Sequence, residues 1–161
     1  MSIILGIDPG LNITGYGVIE TVVGNNKLRL IEAGVVRSHS ETLAPKVREI
    51  YDGVREIIAT FSPNAVAIEE LYSHYDRPRT AIYMGHARGA ICLAAAQAEI
   101  PIYSYAATKI KKILTGAGRA PKEQMQRAIQ LELHLDRLPE PPDVADSLAA
   151  ALCHFYHGKI S

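Results

Sequence analysis

The hydrophobic pattern of this chain changes period after residue 38, and that change restricts its fold more than any other feature. Before it lie three apolar segments of strand length: "IILGID" (3–8), "TGYGVIETV" (14–22) and "LRLIEAGVVRS" (28–38). The turn "PGLN" leads into the second, and "GNN" forms a hairpin turn between the second and third. Connections this short join antiparallel neighbours, because a parallel crossover needs many more residues. After residue 38, Val47, Ile50, Tyr51, Val54, Ile57, Ile58 and Phe61 recur at helical spacing. "SPN" (62–64) stops that helix, and "AVAIEEL" (65–71) is again a short apolar run.

The remainder alternates in the same way. "YSHYDRPRT" (72–80) is a polar, aromatic loop with a proline. A helix rich in Ala and Gly runs from about Thr80 to Ala98, and "IPIYSYA" (100–106) is a fifth strand. "TKIKKIL" (108–114) is a short basic helix with Thr108 as its cap, followed by the basic loop "TGAGRAPK" (115–122). "PKEQMQRAIQLEL" (121–133) is a helix with Pro121 at its start, and "LPEPP" breaks it. "DVADSLAAALCHFYHG" (143–158) is the last helix, with Gly158 as its end signal. The order predicts an α/β fold: a mixed five-stranded sheet, three antiparallel strands then two parallel, flanked by helices. At 161 residues, with no linker or repeat, the chain reads as a single domain, residues 1–161.

Two strands end in acid. Asp8 closes the first, and Glu69 or Glu70 closes the fourth. Ligands collect outside the carboxyl ends of strands in open α/β sheets. Neighbouring strand residues point to opposite faces, so only one of Glu69 and Glu70 can face Asp8, and spacing does not choose between them. Asp143 and Asp146 stand three apart in the first turn of the last helix, on one face. Each acid alone has an ordinary structural explanation, as a turn residue or as an anion at a helix N-terminus. Together they form a candidate site, provided the last helix crosses the sheet near residue 8. Clustered carboxylates repel and raise one another's pKa, and a divalent cation relieves that cost. Mg²⁺ prefers oxygen ligands, Mn²⁺ is its natural substitute, and two such ions can activate a water and stabilise a leaving oxygen of a phosphodiester.

Cations surround this pattern although the chain as a whole is neutral, with 17 Lys plus Arg against 17 Asp plus Glu. Lys109, Lys111, Lys112, Arg119 and Lys122 fall within 14 residues. Arg77, Arg79 and Arg88 accompany Tyr72 and Tyr75. Such cations suit phosphate, and such aromatics can stack on unpaired bases. His154 and His157 have a spacing that a metal could use, but a place near the end of the last helix explains them as well. Cys92 and Cys153 lie in apolar helical patterns without CxxC spacing, so we expect buried free thiols and no zinc site. We expect no signal peptide and no membrane span, and a cytoplasmic protein.

Five stretches, "IILGIDPGLNITGYGVIE", "AIEELY", "GHARG", "YAATKIKK" and "PPDVADSLAAAL", jointly resemble the RuvC family of Holliday-junction resolvases across nearly the whole chain. That resemblance implies an RNase H-like fold and a homodimeric, metal-dependent endonuclease that cuts four-way junction DNA symmetrically in recombination and repair. It implies Asp8, Glu69, Asp143 and Asp146 as catalytic metal ligands, probing the same two-ion Mg²⁺ chemistry, with Lys122 assisting. It selects Glu69 over Glu70. It implies Tyr72 as a base-stacking residue and Lys111 and Lys122 as the family's lysines; the charge clusters add Arg77, Arg79, Lys109, Lys112 and Arg119 as expected DNA contacts, and the small-residue helix an expected dimer interface at Ala87, Gly89 and Ala90. A RuvA-RuvB branch-migration complex is the implied candidate partner. The chain departs from the family pattern in the loop "SHYDRPRT" and in "MGHARG", where His86 replaces Gln.

Three other functions fit fewer features. A sugar-kinase or actin-like ATPase shares the strand, Asp and Gly opening but needs two related domains. A non-catalytic junction-binding scaffold would not need all four acids. A related RNase H-like nuclease could act on other branched substrates.

Overall fold

The computed structural model describes residues 1–22, 24, 26–71 and 77–160, and for residues 159 and 160 the backbone alone. Its elements are β1 (Ser2–Asp8), β2 (Ile13–Val22), β3 (Lys27–Arg37), α1 (Leu43–Phe61), β4 (Ala65–Glu69), α2 (Pro78–Gln97), β5 (Ile102–Tyr105), α3 (Ala107–Thr115), α4 (Lys122–Glu132) and α5 (Pro142–Ile160). The sheet order is β3-β2-β1-β4-β5. β1 is antiparallel to β2 and parallel to β4, β2 is antiparallel to β3, and β4 is parallel to β5. The meander and the two parallel crossovers are those expected from the change of period. The hairpin keeps left-handed backbone at Gly24 (φ 96°) and Asn26 (φ 52°), the conformations that make Gly and Asn good turn residues.

Each face of the sheet carries its own helical layer. Leu5, Ile7, Val18, Val66 and Ile68 point toward α1 and α2, where they pack with Ile50, Val54, Ile58, Ile91 and Ala94. Ile4, Ile19 and Ala67 point the other way, onto Val144, Leu148, Ala151 and Leu152 of α5, with Ile110 of α3 and Ile129 of α4 beyond them. The alternation along β1 is therefore strict: odd residues face one layer and even residues the other.

Helix α5 comes unusually close to the sheet. A Cβ placed on Gly6 would stand 1.9 Å from the Ser147 carbonyl oxygen, and one on Gly15 would stand 2.1 Å from the Asp143 carbonyl oxygen. On Gly17 it would meet Leu148 Cδ2 at 2.3 Å. Gly6 and Gly17 are cross-strand partners, and Gly15 is the partner of Asp8. The three glycines thus form one seat on the even face of β1, and α5 rests in it with its first two turns.

Several local expectations are corrected. α2 begins at Pro78, before Thr80, because proline is well suited to the first turn of a helix. Ala106 is the N-cap of α3 and no side chain caps it, so Thr108 lies inside the helix. Pro121 is the N-cap of α4, which begins at Lys122. α5 continues past Gly158 to Ile160, since nothing forces a left-handed turn there. Cys153 is buried as expected, but Cys92 is exposed, on the outer side of α2.

The glycine seat gives a direct stability test. Gly6→Ala inserts a methyl into backbone that cannot give way, so urea denaturation should show a loss of about 3 kcal/mol, the upper range for overpacking. Gly158→Ala, with nothing within 4 Å of its added Cβ, should stay within about 1 kcal/mol of the parent.

Candidate active site

The pleat of β1 and β4 decides which acids can meet. Gly6 pairs with Ala67 and Ile7 with Ile68 in the parallel ladder. One step on, Asp8 and Glu69 end their strands side by side, both on the face that carries α5. Glu70 falls on the next position, where its backbone N–H donates to the Tyr105 carbonyl at 2.8 Å and its side chain is exposed. The same glycine seat that lowers α5 onto the sheet brings its first turns over these strand ends. Asp143 and Asp146 therefore approach Asp8 from the helix side.

The electrostatics record this convergence. Burial pushes the Asp8 carboxyl up to about 8, with help from the charges of Asp146 and Asp143, a side-chain hydrogen bond with Asp143, and the charge of Glu69. Glu69 is also raised, by burial and by Asp146, while Lys111 and Arg88 pull it down. Asp146 keeps an exposed edge at the rim of the site. Partial burial and Asp143 still raise it, against Lys122 and Lys111. Among the described residues, no three His, Cys, Asp or Glu side chains close around a common point as they stand. The acids thus form an open cluster.

Two cavities adjoin across Glu69, Ala107 and Lys111. One, of about 300 Å³, is lined by Asp8, Pro9, Glu69, Met84 and Arg88. The other, of about 270 Å³, is lined by Glu69, Lys111, Lys122 and Asp146. A groove with acids at its floor and lysines on its wall suits a phosphodiester: the acids hold cations, and the lysines face the anion.

A family model described as "Crossover junction endodeoxyribonuclease RuvC" matches residues 4–154. The chain belongs to the RuvC family. The RuvC of Rhodopirellula baltica is 54% identical over 156 residues, covering 96% of this chain and 86% of that protein. The RuvC of Alkaliphilus metalliredigens is 43% identical over 157 residues, covering 97% of this chain and 94% of that one. The structure of T. thermophilus RuvC in complex with Holliday junction substrate superimposes with a TM-score of 0.92 at 35% identity, covering 99% of this chain and 96% of that one. The five-stranded mixed sheet is accordingly the RNase H-like fold of RuvC.

The other residues expected at the site are distributed unevenly. Lys111 and Lys122 line the cavity walls. Lys109 lies over the Tyr105 ring, 5.6 Å from its centroid. Lys112 and Arg119 are exposed further out. Arg77, the N-cap of α2, and Arg79 are exposed at the start of that helix. Tyr72, with His74 and Tyr75, lies outside the described residues. His154 meets the Tyr105 hydroxyl through Nδ1 at 2.5 Å and stacks with Tyr103, at a centroid distance of 4.5 Å, so packing explains it.

Of the residues expected at a dimer interface, two are buried within the chain and one is exposed. Ala87 and Ala90 are 0% and 7% exposed, on the stripe of α2 that packs against this chain's own core with Ile91, Ala94 and Ala95. That packing takes up their side chains. Gly89 does face outward, with open space over its Cα. Sequence reasoning also missed Arg88 as a structural element: it counted this residue among cations near the loop, and nothing in a lone arginine announces a bond to a strand end.

The raised acids predict a pH dependence for the metal-free protein. A carboxyl with a folded pKa above its unfolded value binds more protons when folded, so its stabilising effect is present at low pH and lost as pH rises. For Asp8 the window runs from about 4 to about 8. Thermal unfolding in chelator should show Tm falling across that window. Asp8→Asn should flatten the fall and raise stability at pH 7.5 by about 2 kcal/mol.

Proposed function

We propose that this chain, as a RuvC-family enzyme, resolves four-way DNA junctions by metal-dependent hydrolysis of two symmetric phosphodiesters, in recombination and repair. The observation that carries the reading is the meeting of four carboxylates from three separate elements on one face of the sheet. Such a cluster is costly without a cation, as the upward displacement of Asp8, Glu69 and Asp146 records. Its openness suits Mg²⁺, which keeps several waters and takes only one or two carboxylates directly. We assign Asp8, Glu69, Asp143 and Asp146 as ligands for two Mg²⁺ ions, with Mn²⁺ as substitute. When bound, the ions supply water activation and neutralise charge at the leaving oxygen.

The chain's own residues then do the rest. Asp8, at the junction of both strands and α5, anchors the cluster. Lys122 and Lys111 project over the acids and hold the scissile phosphate, stabilising its growing negative charge. Lys109, Lys112, Arg119, Arg77 and Arg79 form the outer phosphate contacts, which position a duplex without reading its sequence. Tyr72 is assigned to stack on a junction base.

Symmetric cutting requires two sites, and we assign these to a homodimer. The outer stripe of α2 supports that assignment: Ile82 and Leu93 are 60% and 53% exposed, with Gly89 between them. A two-fold axis beside this stripe would pair it with itself. Among the described residues no helix is long and apolar enough to cross a membrane. We place the enzyme in the cytoplasm, as one domain acting with a RuvA-RuvB branch-migration complex.

The test is cleavage of a synthetic four-way junction in Mg²⁺ beside a linear duplex of the same sequence. The junction should be cut and the duplex spared. Asp8→Asn, Glu69→Gln and Asp146→Asn should each reduce cutting about 1000-fold, since metal-site stabilisation amounts to several kcal/mol and each 1.4 kcal/mol is tenfold. Junction binding in Ca²⁺ should survive in all three. Equal cutting of both substrates would overturn the junction reading, and full activity of Asp8→Asn would overturn the site. For the dimer, Leu93→Glu should sediment as a folded monomer, whereas Ala87→Glu should unfold the chain.

A further inference from the structure

Arg88 sits on α2, between the helix's buried stripe and its outer one. Its guanidinium makes two hydrogen bonds that leave its own element. Nη1 donates to the main-chain carbonyl of Glu69 at 2.5 Å, and Nη2 donates to Ser104 Oγ at 2.7 Å. It thereby ties α2 to the last residue of β4 and to β5 at once. Among the described residues the ion pairs join Arg29 to Glu20, Arg48 to Asp52 and Arg127 to Glu123, and Arg88 enters none of them. A guanidinium that lines the acidic cavity yet bonds a backbone carbonyl and a hydroxyl acts as a bracket.

The position of that bracket gives it a consequence. Glu69 is the last residue of β4, where the ladder to β1 has already ended at Ile68. Its backbone is held on the other side by pairing with Tyr105 and by the Glu70 N–H bond to the Tyr105 carbonyl. The Arg88 bond fixes the Glu69 carbonyl itself, and so fixes the direction in which the next atoms of that residue, including its side chain, leave the strand. A lysine has the charge but one compact ammonium, which cannot span both acceptors in a plane as a guanidinium does.

We propose that Arg88 is the positioning residue for Glu69: by bridging the Glu69 carbonyl and Ser104 it orients the Glu69 carboxylate toward the cation that the acidic cluster binds. This rests on the assignment of Glu69 as a metal ligand made above. Outer-shell partners of this kind alter metal affinity about 10- to 100-fold. Arg88 touches the ligand through its backbone and takes no part in the reaction.

The measurement is Mn²⁺ binding to the full-length protein by titration calorimetry, without DNA, beside urea denaturation. Arg88→Lys, which keeps the charge but loses the planar fork, should weaken Mn²⁺ binding about tenfold, and Arg88→Gln, which loses both, should do the same, because the fork is what positions Glu69. Ser104→Ala should move it the same way by a smaller factor. The half-saturating Mg²⁺ for junction cutting should rise in parallel, and saturating metal should restore the rate. A purely structural arginine would lower the urea midpoint and leave the Mn²⁺ affinity of the folded protein unchanged, which would overturn the proposal. Parental affinity in Arg88→Lys would overturn it too, leaving charge as the whole effect. If Glu69→Gln bound Mn²⁺ as the parent does, the ligand assignment itself would fall first, and the bracket with it.

Discussion

Helix α5 touches the sheet backbone to backbone, and the acidic site depends on that contact. Over Gly6 the Ser147 carbonyl lies where a methyl group would otherwise stand, and over Gly15 the Asp143 carbonyl does the same. Any side chain at these positions would lift the helix by the thickness of a methyl group or more. Asp143 and Asp146 would lift with it, away from Asp8. The glycines that weaken β1 and β2 as strands are thus the condition for bringing carboxylates from a helix and from strand ends within mutual influence. The loss of intrinsic strand stability is offset by burial on both sides, where Leu5 and Ile7 fill one layer and Ile4 the other.

Burial opposes the charged form of the acids in this site. Burial is the first cause of the upward displacement in Asp8, Glu69 and Asp146 alike, and mutual repulsion adds to it. Two lysines and one arginine work against this. Lys111 acts on Glu69 and Asp146, Lys122 on Asp146, and Arg88 on Glu69. Burial, Asp146, Asp143 and Glu69 all push the Asp8 carboxyl the same way, and it is displaced furthest. That acid is the one at the centre of the cluster, where a cation has most to gain by binding. Placing the lysines at the wall leaves them available to an incoming phosphate.

Much of this was legible in residue order. The change of period after residue 38 contains the sheet topology, because short turns force antiparallel pairs and a helix between strands permits parallel ones. The acids at strand ends and the Asp143–Asp146 spacing were visible as well. Two things were hidden. Spacing cannot choose between Glu69 and Glu70, because the choice depends on the register of β4 against β1: Gly6 opposite Ala67 puts Glu69 beside Asp8. The approach of α5 depends on three glycines that belong to different strands and become neighbours only when β1 and β2 pair. Glycine in a strand signals close approach of something, but not of what.

The small-residue helix was the harder case, and the reason is physical. α2 is apolar on nearly every side, so periodicity gives no preferred face. Ala87 and Ala90 look suited to a helix partner because they are small, yet smallness serves equally well against the chain's own α1 layer, and that is where they go. The large residues Ile82 and Leu93 are left outside. Arg88 lies between these two faces and reaches β4 and β5. One helix therefore carries an exposed apolar stripe, the packing that anchors it to the sheet, and the bond to a strand end in the acidic cluster. In the proposed dimer, a shift of α2 on pairing would reach Glu69 through the Arg88 side chain.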